Sequence, residues 1–187
     1  NKVDEACAQL LKAEAHPADL GRVNGHWFVE TLSFGLDAAI ALDTMERRVR
    51  TGRTGTVLYM ESGVDQLLHH LDLRRYRASF DGGETVEAES VTFAVQIGPY
   101  YGGGSRSAPT RASTTAFGRV RRHPPVGAAR ALYIFLRAKG GKHVRFKQIE
   151  LRRCRTLHLE FDEAPPAQMD GELIEAPRST SPWSPPR

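Results

Sequence analysis

The chain has 187 residues, 40% of them hydrophobic and 26% charged, with a net charge of +4. That length fills one good core rather than several, and no apolar run approaches the roughly 18 residues that a bilayer span needs. No signal-peptide pattern opens the chain, and its first residue is Asn1 rather than Met, as in a processed chain or a fragment of something longer. The basic residues include the scattered pairs Arg47-Arg48, Arg74-Arg75, Arg121-Arg122 and Arg152-Arg153. They lack the dense stripe with interleaved aromatics that nucleic-acid binding favours. Solvated faces, or a mild preference for an anionic membrane surface, suit them better. Cys7 and Cys154 stand far apart with no Cys/His cluster, which argues against zinc and fits a reducing compartment.

In chain order, Lys2 to Ala15 reads as a helix stopped by Pro17. Val23 to Phe34 is strand-like and broken at Asn24-Gly25, a strong hairpin signal. Leu36 to Arg50 reads as helix, Thr51 to Gly55 breaks it, and Val57 to Leu71 is helical again. This second helix carries an apolar stripe of Leu58, Val64, Leu67, Leu68 and Leu71. Leu73 to Phe80 alternates as a strand, Asp81-Gly82-Gly83 turns, and Thr85 to Ile97 is a second strand. Period two puts Val91, Phe93, Val95 and Ile97 of that strand on one face. Residues 98 to 118 read as loop. Ala128 to Lys139 reads as a short helix ended by Gly140-Gly141. Val144 to Arg152, Leu157 to Phe161 and Gly171 to Ala176 read as strands. The Ser/Pro-rich stretch from 177 to 187 reads as a disordered tail. The sum is a β-rich α+β domain, an antiparallel β-sandwich with helical insertions.

Several short strings fall in an ordered series. They are Asp19-Leu20-Gly21-Arg22-Val23, then Trp27-Phe28 with Ser33-Phe34-Gly35-Leu36-Asp37-Ala38. Tyr100-Tyr101-Gly102-Gly103-Gly104 with Ala108-Pro109 follows, then Gly141-Lys142-His143 and Asp170-Gly171-Glu172. Over residues 15 to 176 this series resembles the C-terminal lobe of the diacylglycerol/sphingosine-type lipid kinases, the YegS-like family. The resemblance implies a β-sandwich lobe that follows a nucleotide-binding lobe, with residues 1 to 14 as a helix belonging to or linking from it. It implies an ATP- and Mg²⁺-dependent kinase acting on a lipid hydroxyl, cytoplasmic and peripheral at the membrane. The phosphate loop is absent from this sequence, so the isolated chain is expected to be inactive. The expected partners are the lipid at a membrane surface and the nucleotide-binding lobe, with a homodimer left open and no nucleic acid.

For phosphoryl transfer the needs are charge neutralisation, an oriented hydroxyl and usually Mg²⁺. On a strand, Asp170 and Glu172 would point the same way, a pair suited to a hard cation or to a base beside a hydroxyl. The resemblance gives both the catalytic and the metal-binding role. The alternative reading of Asp170-Gly171 is a plain hairpin turn. Gly102, Gly103 and Gly104 would let backbone approach a phosphate or lipid headgroup, or form a tight turn. Asp37 faces a headgroup, or else favours the dipole of its helix's first turn. The 57–71 stripe would line an acyl channel or simply pack. His143 and the His69-His70 pair read as surface. The sequence departs from the family at Glu30 and Ile97, where Asn is usual, and at Thr115 to Gly118, where an acidic Asp-Gly is replaced. A lipid-binding lobe without chemistry, or a structural domain, are the competing readings.

Overall fold

The computed structural model describes residues 2–14, 19–97, 113–119, 127–138 and 142–176. The glycine-rich stretch with Gly102, Gly103 and Gly104, and the 177–187 tail, lie outside the described residues. Helix α1 is Lys2–Leu10, and every one of its described side chains is exposed. Strands β1 (Gly21–Val23) and β2 (His26–Phe28) form a separate hairpin around Asn24-Gly25. Both turn residues have positive φ, +47° and +90°, as a two-residue type I′ turn requires. Next come β3 (Thr31–Gly35), α2 (Leu36–Thr51), α3 (Thr56–His69), β4 (Arg74–Phe80) and β5 (Val86–Gln96). They are followed by β6 (Ser113–Arg119), α4 (Ala128–Ala138), a 3₁₀ turn at Lys142–Arg145, β7 (Ile149–Arg152), β8 (Leu157–Phe161), β9 (Ala167–Met169) and β10 (Glu172–Ile174).

Eight strands make one curled antiparallel sheet, in the order β10-β9-β3-β5-β4-β8 with β6 and β7 branching from β5. The branch arises because β5 is 11 residues long and is used twice along one edge. Its first half pairs with β4 and its second half with β3, while β6 runs along the opposite edge. On the β6 side Ser90 faces Gly118 and Thr92 faces Phe117, so Val91 is the extra residue of a bulge.

This bulge corrects the expected face of β5. Val91 packs with Leu36, Ile40, Leu67, Ala131 and Ile134 in a cluster beneath the helices. Phe93, two residues on, packs with Phe28, Leu32, Phe34, Tyr76 and Phe161 inside the curl. An inserted residue reverses the alternation, so one strand serves two cores. Gly35, where β3 passes into α2, has φ +84°, and a Cβ there would lie 2.4 Å from the Val91 carbonyl oxygen. Only glycine fits this junction of strand, helix and bulge.

The sandwich expectation holds, as a single sheet curled on itself with helices on its outer face. Three details differ. Residues 113–119 are a strand, not loop, because β5 offers them an edge that local composition does not reveal. Residues 142–145 form a 3₁₀ turn instead of opening a strand, and β7 begins only at Ile149. The short β9 is unanticipated, since three residues carry too little periodicity to be read.

Candidate functional site

Asp170-Gly171 is the two-residue turn between β9 and β10, with φ of +50° and +91°. Asp170 and Glu172 therefore do not share the face of one strand, which corrects the geometry expected for them. Asp170 folds its carboxylate back over the start of β3. Its Oδ2 accepts the Val29 N–H at 2.7 Å, and its Oδ1 accepts the Glu30 and Thr31 N–H groups at 2.9 Å each. Its own N–H donates to the Thr31 carbonyl at 2.9 Å. Glu172 lies opposite Met169 as the first residue of β10, and its side chain is exposed.

A polar line runs inward from this turn. Gly171 N–H donates to Gln168 Oε1 at 2.8 Å, and Gln168 Nε2 donates to Ser33 Oγ at 2.8 Å and to Asp37 Oδ2 at 3.5 Å. Ser33 Oγ donates to the same Asp37 oxygen. Tyr59 of α3 completes the line with a hydrogen bond to Asp37; burial, then the nearby Asp37 charge, holds its phenol well above the usual range. Ser33 and Gln168 are fully buried. The half-buried Asp37 carboxylate, in the first turn of α2, is thus engaged inside the fold by three side chains. Sequence reasoning singled out Asp37, Asp170 and Glu172. It missed Gln168 and Tyr59, and gave Ser33 no role of its own. A glutamine in an otherwise apolar Ala-Gln-Met run was the one available signal.

The departures at Glu30 and Ile97 meet at this site. Ile97 N–H donates to the Glu30 carbonyl at 2.9 Å, and the Glu30 N–H is held by Asp170. These are backbone bonds, so the scaffold is indifferent to the changed side chains. One side-chain oxygen of Glu30 is buried without a hydrogen-bond partner. His143 is also buried, at 6% exposure, rather than on the surface as expected.

The apolar stripe of α3 divides. Leu58 and Leu67 are core residues. Val64 and Leu68, with Val57 and Met60, line an open groove of about 480 Å³ edged by Arg47, Glu61, Asp65 and His69. Arg47 bridges Asp43 and Asp65, at 2.6 Å each, and so ties α2 to α3 along that edge. Among the described residues no group of three or more His, Cys, Asp or Glu side chains is placed to hold a metal ion.

A curled antiparallel sheet with helices on its outer face, and an Asp-Gly hairpin locked to the strand-helix junction of β3 and α2, define a β-sandwich-like lobe. The family of YegS C-terminal, NAD kinase beta sandwich-like domains matches residues 30–185, and the chain belongs to it. Among solved structures the chain is similar to two described as a "putative diacylglycerol kinase" from Bacillus anthracis str. Sterne. The TM-scores are 0.63 and 0.61 at 20% and 21% identity, each match covering 92% of this chain and 55% and 56% of the other. A third, described as a diacylglycerol kinase from the same organism, has a TM-score of 0.57 at 14% identity, covering 94% of this chain and 53% of that one. The chain thus spans about half the length of each. No curated protein sequence matches it.

Proposed function

We propose that the chain is the C-terminal lobe of an ATP-dependent lipid kinase of the diacylglycerol kinase type. The lobe carrying the nucleotide's phosphate loop would come from elsewhere in the protein. The observation that carries this reading is the Asp170-Gly171-Glu172 hairpin in a member of this family. A carboxylate clasp on one side and the Gln168-Ser33-Asp37-Tyr59 line on the other fix its position, which leaves Glu172 presented to solvent on a rigid support.

In the reaction a lipid hydroxyl oxygen forms a bond to the γ-phosphorus, the bond to the β-phosphate oxygen breaks, and the hydroxyl proton passes to a base. Glu172 is the base in this reading. Asp170 has three of its lone pairs committed to backbone N–H groups, so its main part is to hold the hairpin. Mg²⁺ usually takes one or two carboxylates plus substrate phosphates. Glu172 would supply one such carboxylate and the phosphates the rest, since the Asp170 carboxylate is turned back onto the β3 backbone. When bound, the ion would neutralise phosphate charge. Asp37 acts as a positioning residue behind the hairpin. The groove on α3 is the apolar surface that the chain offers to a lipid tail.

The test is transfer of labelled phosphate from ATP to a panel of lipids in mixed micelles, using this chain alone and joined to its native upstream sequence. Transfer by the joined form, lost in Glu172→Gln while the melting temperature stays unchanged, is the expected result. Undiminished turnover by that variant would remove Glu172 from the chemistry. A second reading, a lobe that binds lipid without chemistry, draws on the structural engagement of Asp170. It predicts lipid binding that is indifferent to ATP and to Glu172→Gln.

A further inference from the structure

The chain's charge is sharply segregated. Residues 98–149 contain 11 of the 26 Lys and Arg residues and no Asp or Glu. The remainder holds 15 cations against all 22 carboxylates, a net of −7 beside the +11 of that stretch. A modest net charge conceals a strong dipole of composition.

The structure shows what the described part of this stretch does with its cations. Elsewhere many of the arginines are matched by carboxylates, although Arg22 lies over the Trp27 ring. Arg53 bonds Glu61, Arg74 bonds Asp72 and Glu163, Arg75 bonds Glu89, and Arg77 bonds Glu160. Along α4 and the 3₁₀ turn, the exposed Arg130, Arg137, Lys142, Arg145 and Lys147 have no carboxylate partner among the described residues. Two of them rest on aromatic rings instead. The Arg130 guanidinium lies 4.8 Å from the Phe146 ring centre and 5.8 Å from that of Tyr133. The Arg137 guanidinium lies 5.2 Å from the Tyr133 ring centre and donates to the Tyr133 hydroxyl at 3.0 Å. Helix α4 buries Ala131 and Ile134 against the body of the domain, and leaves Tyr133 and Leu136 42% and 53% exposed between these two arginines.

We propose that this α4 face, with the 3₁₀ turn beside it, docks on an anionic lipid bilayer. Unpaired arginines recognise lipid phosphates with forked donors. An exposed Leu and an amphipathic Tyr ring between them suit the headgroup boundary of a membrane, as in helices that lie in that plane. The same face is poorly built for single-stranded nucleic acid, because the Tyr133 and Phe146 rings that would stack bases already carry guanidiniums. Docking rests on the lipid-kinase reading for its purpose, but not for its measurement, since vesicle binding is read without any phosphoryl transfer.

The experiment is flotation of the protein, at its natural length, with vesicles of phosphatidylcholine alone and of phosphatidylcholine mixed with phosphatidylglycerol. Binding should require phosphatidylglycerol and weaken with added salt. Arg130→Ala combined with Arg137→Ala should weaken it about twenty-five-fold, at about fivefold for each cation removed near the surface. Arg130→Lys with Arg137→Lys keeps the charge but loses the forked donors and should bind between wild type and the alanine pair, which separates lost charge from lost guanidinium contacts. Arg53→Ala with Arg75→Ala removes the same net charge from carboxylate-paired positions and should leave binding close to wild type. No binding to the anionic vesicles would overturn the proposal. So would an equal loss in the Arg53/Arg75 variant. A third refuting result is binding to a short DNA strand, governed by Arg130 and Arg137, without binding to vesicles.

Discussion

Replacing Gln168 by Glu changes one buried atom from a donor to an acceptor and sets two carboxyl groups against each other. Gln168 Nε2 lies 3.5 Å from Asp37 Oδ2 and 2.8 Å from Ser33 Oγ, and the residue is 1% exposed. Two unit charges at that separation repel by about 5 kcal/mol at an effective dielectric of 20. Keeping the new carboxyl protonated at pH 7 instead costs about 4 kcal/mol, from its unfolded value near 4.3. The folded protein takes the smaller penalty, so Gln168→Glu should lose about 4 kcal/mol at neutral pH, a large part of a typical domain's stability. Near pH 4 the loss should be small, because a protonated carboxyl donates where the amide N–H did and still accepts from Gly171. The folded pKa of the new group is raised. Its neutral form is therefore fully tolerated below the unfolded value, and stability is lost as pH rises toward the folded one. Urea unfolding of parent and variant between pH 4 and 8 measures the difference. A difference that stays flat with pH would refute the Gln168–Asp37 contact.

Gly35→Ala forces a Cβ to within 2.4 Å of the Val91 carbonyl at φ +84°, and should cost about 3 kcal/mol or more or prevent folding, by thermal unfolding. Asp170→Asn should keep the fold better than Asp170→Ala. An amide oxygen still accepts some of the three N–H groups and Asn tolerates a left-handed backbone, so chemical denaturation should rank wild type above Asn above Ala. Asp81 accepts the Arg155 N–H at 2.7 Å and the Thr156 N–H at 2.9 Å. These bonds, that from Thr156 first, hold its carboxyl below the ordinary value of 3.8. Its contribution is present above that value and lost as pH falls through the lower folded one. Asp81→Asn should therefore blunt part of the acid sensitivity of the melting temperature, and an unchanged acid profile would argue against the Asp81 contacts.

Much of the fold could be read locally. The Asn24-Gly25 turn, α2, α3 and the pairing halves of β4 and β5 follow from turn chemistry and periodicity. What escaped depends on distant partners. The Ser/Thr-rich run at 113–119 becomes a strand because β5 has a free edge. Val91 changes face because of a bulge that no two-residue period encodes. At the site, the residue types at Asp170-Gly171 spelled a turn as clearly as those at Asn24-Gly25. Carboxylates at i and i+2 suggest one strand face, but the turn-forming Asp-Gly pair decides the backbone there. Gln168 was invisible because its partner Ser33 lies 135 positions away.

The extra residue at Val91 also bears on how the molecule comes apart. Because neighbouring positions of one strand anchor separate apolar clusters, neither cluster can loosen without pulling on the hydrogen-bonded ribbon that steadies the other. The helical face and the interior of the curl are two rooms sharing a single wall. The close fit of Gly35 against the Val91 carbonyl lies where the two meet.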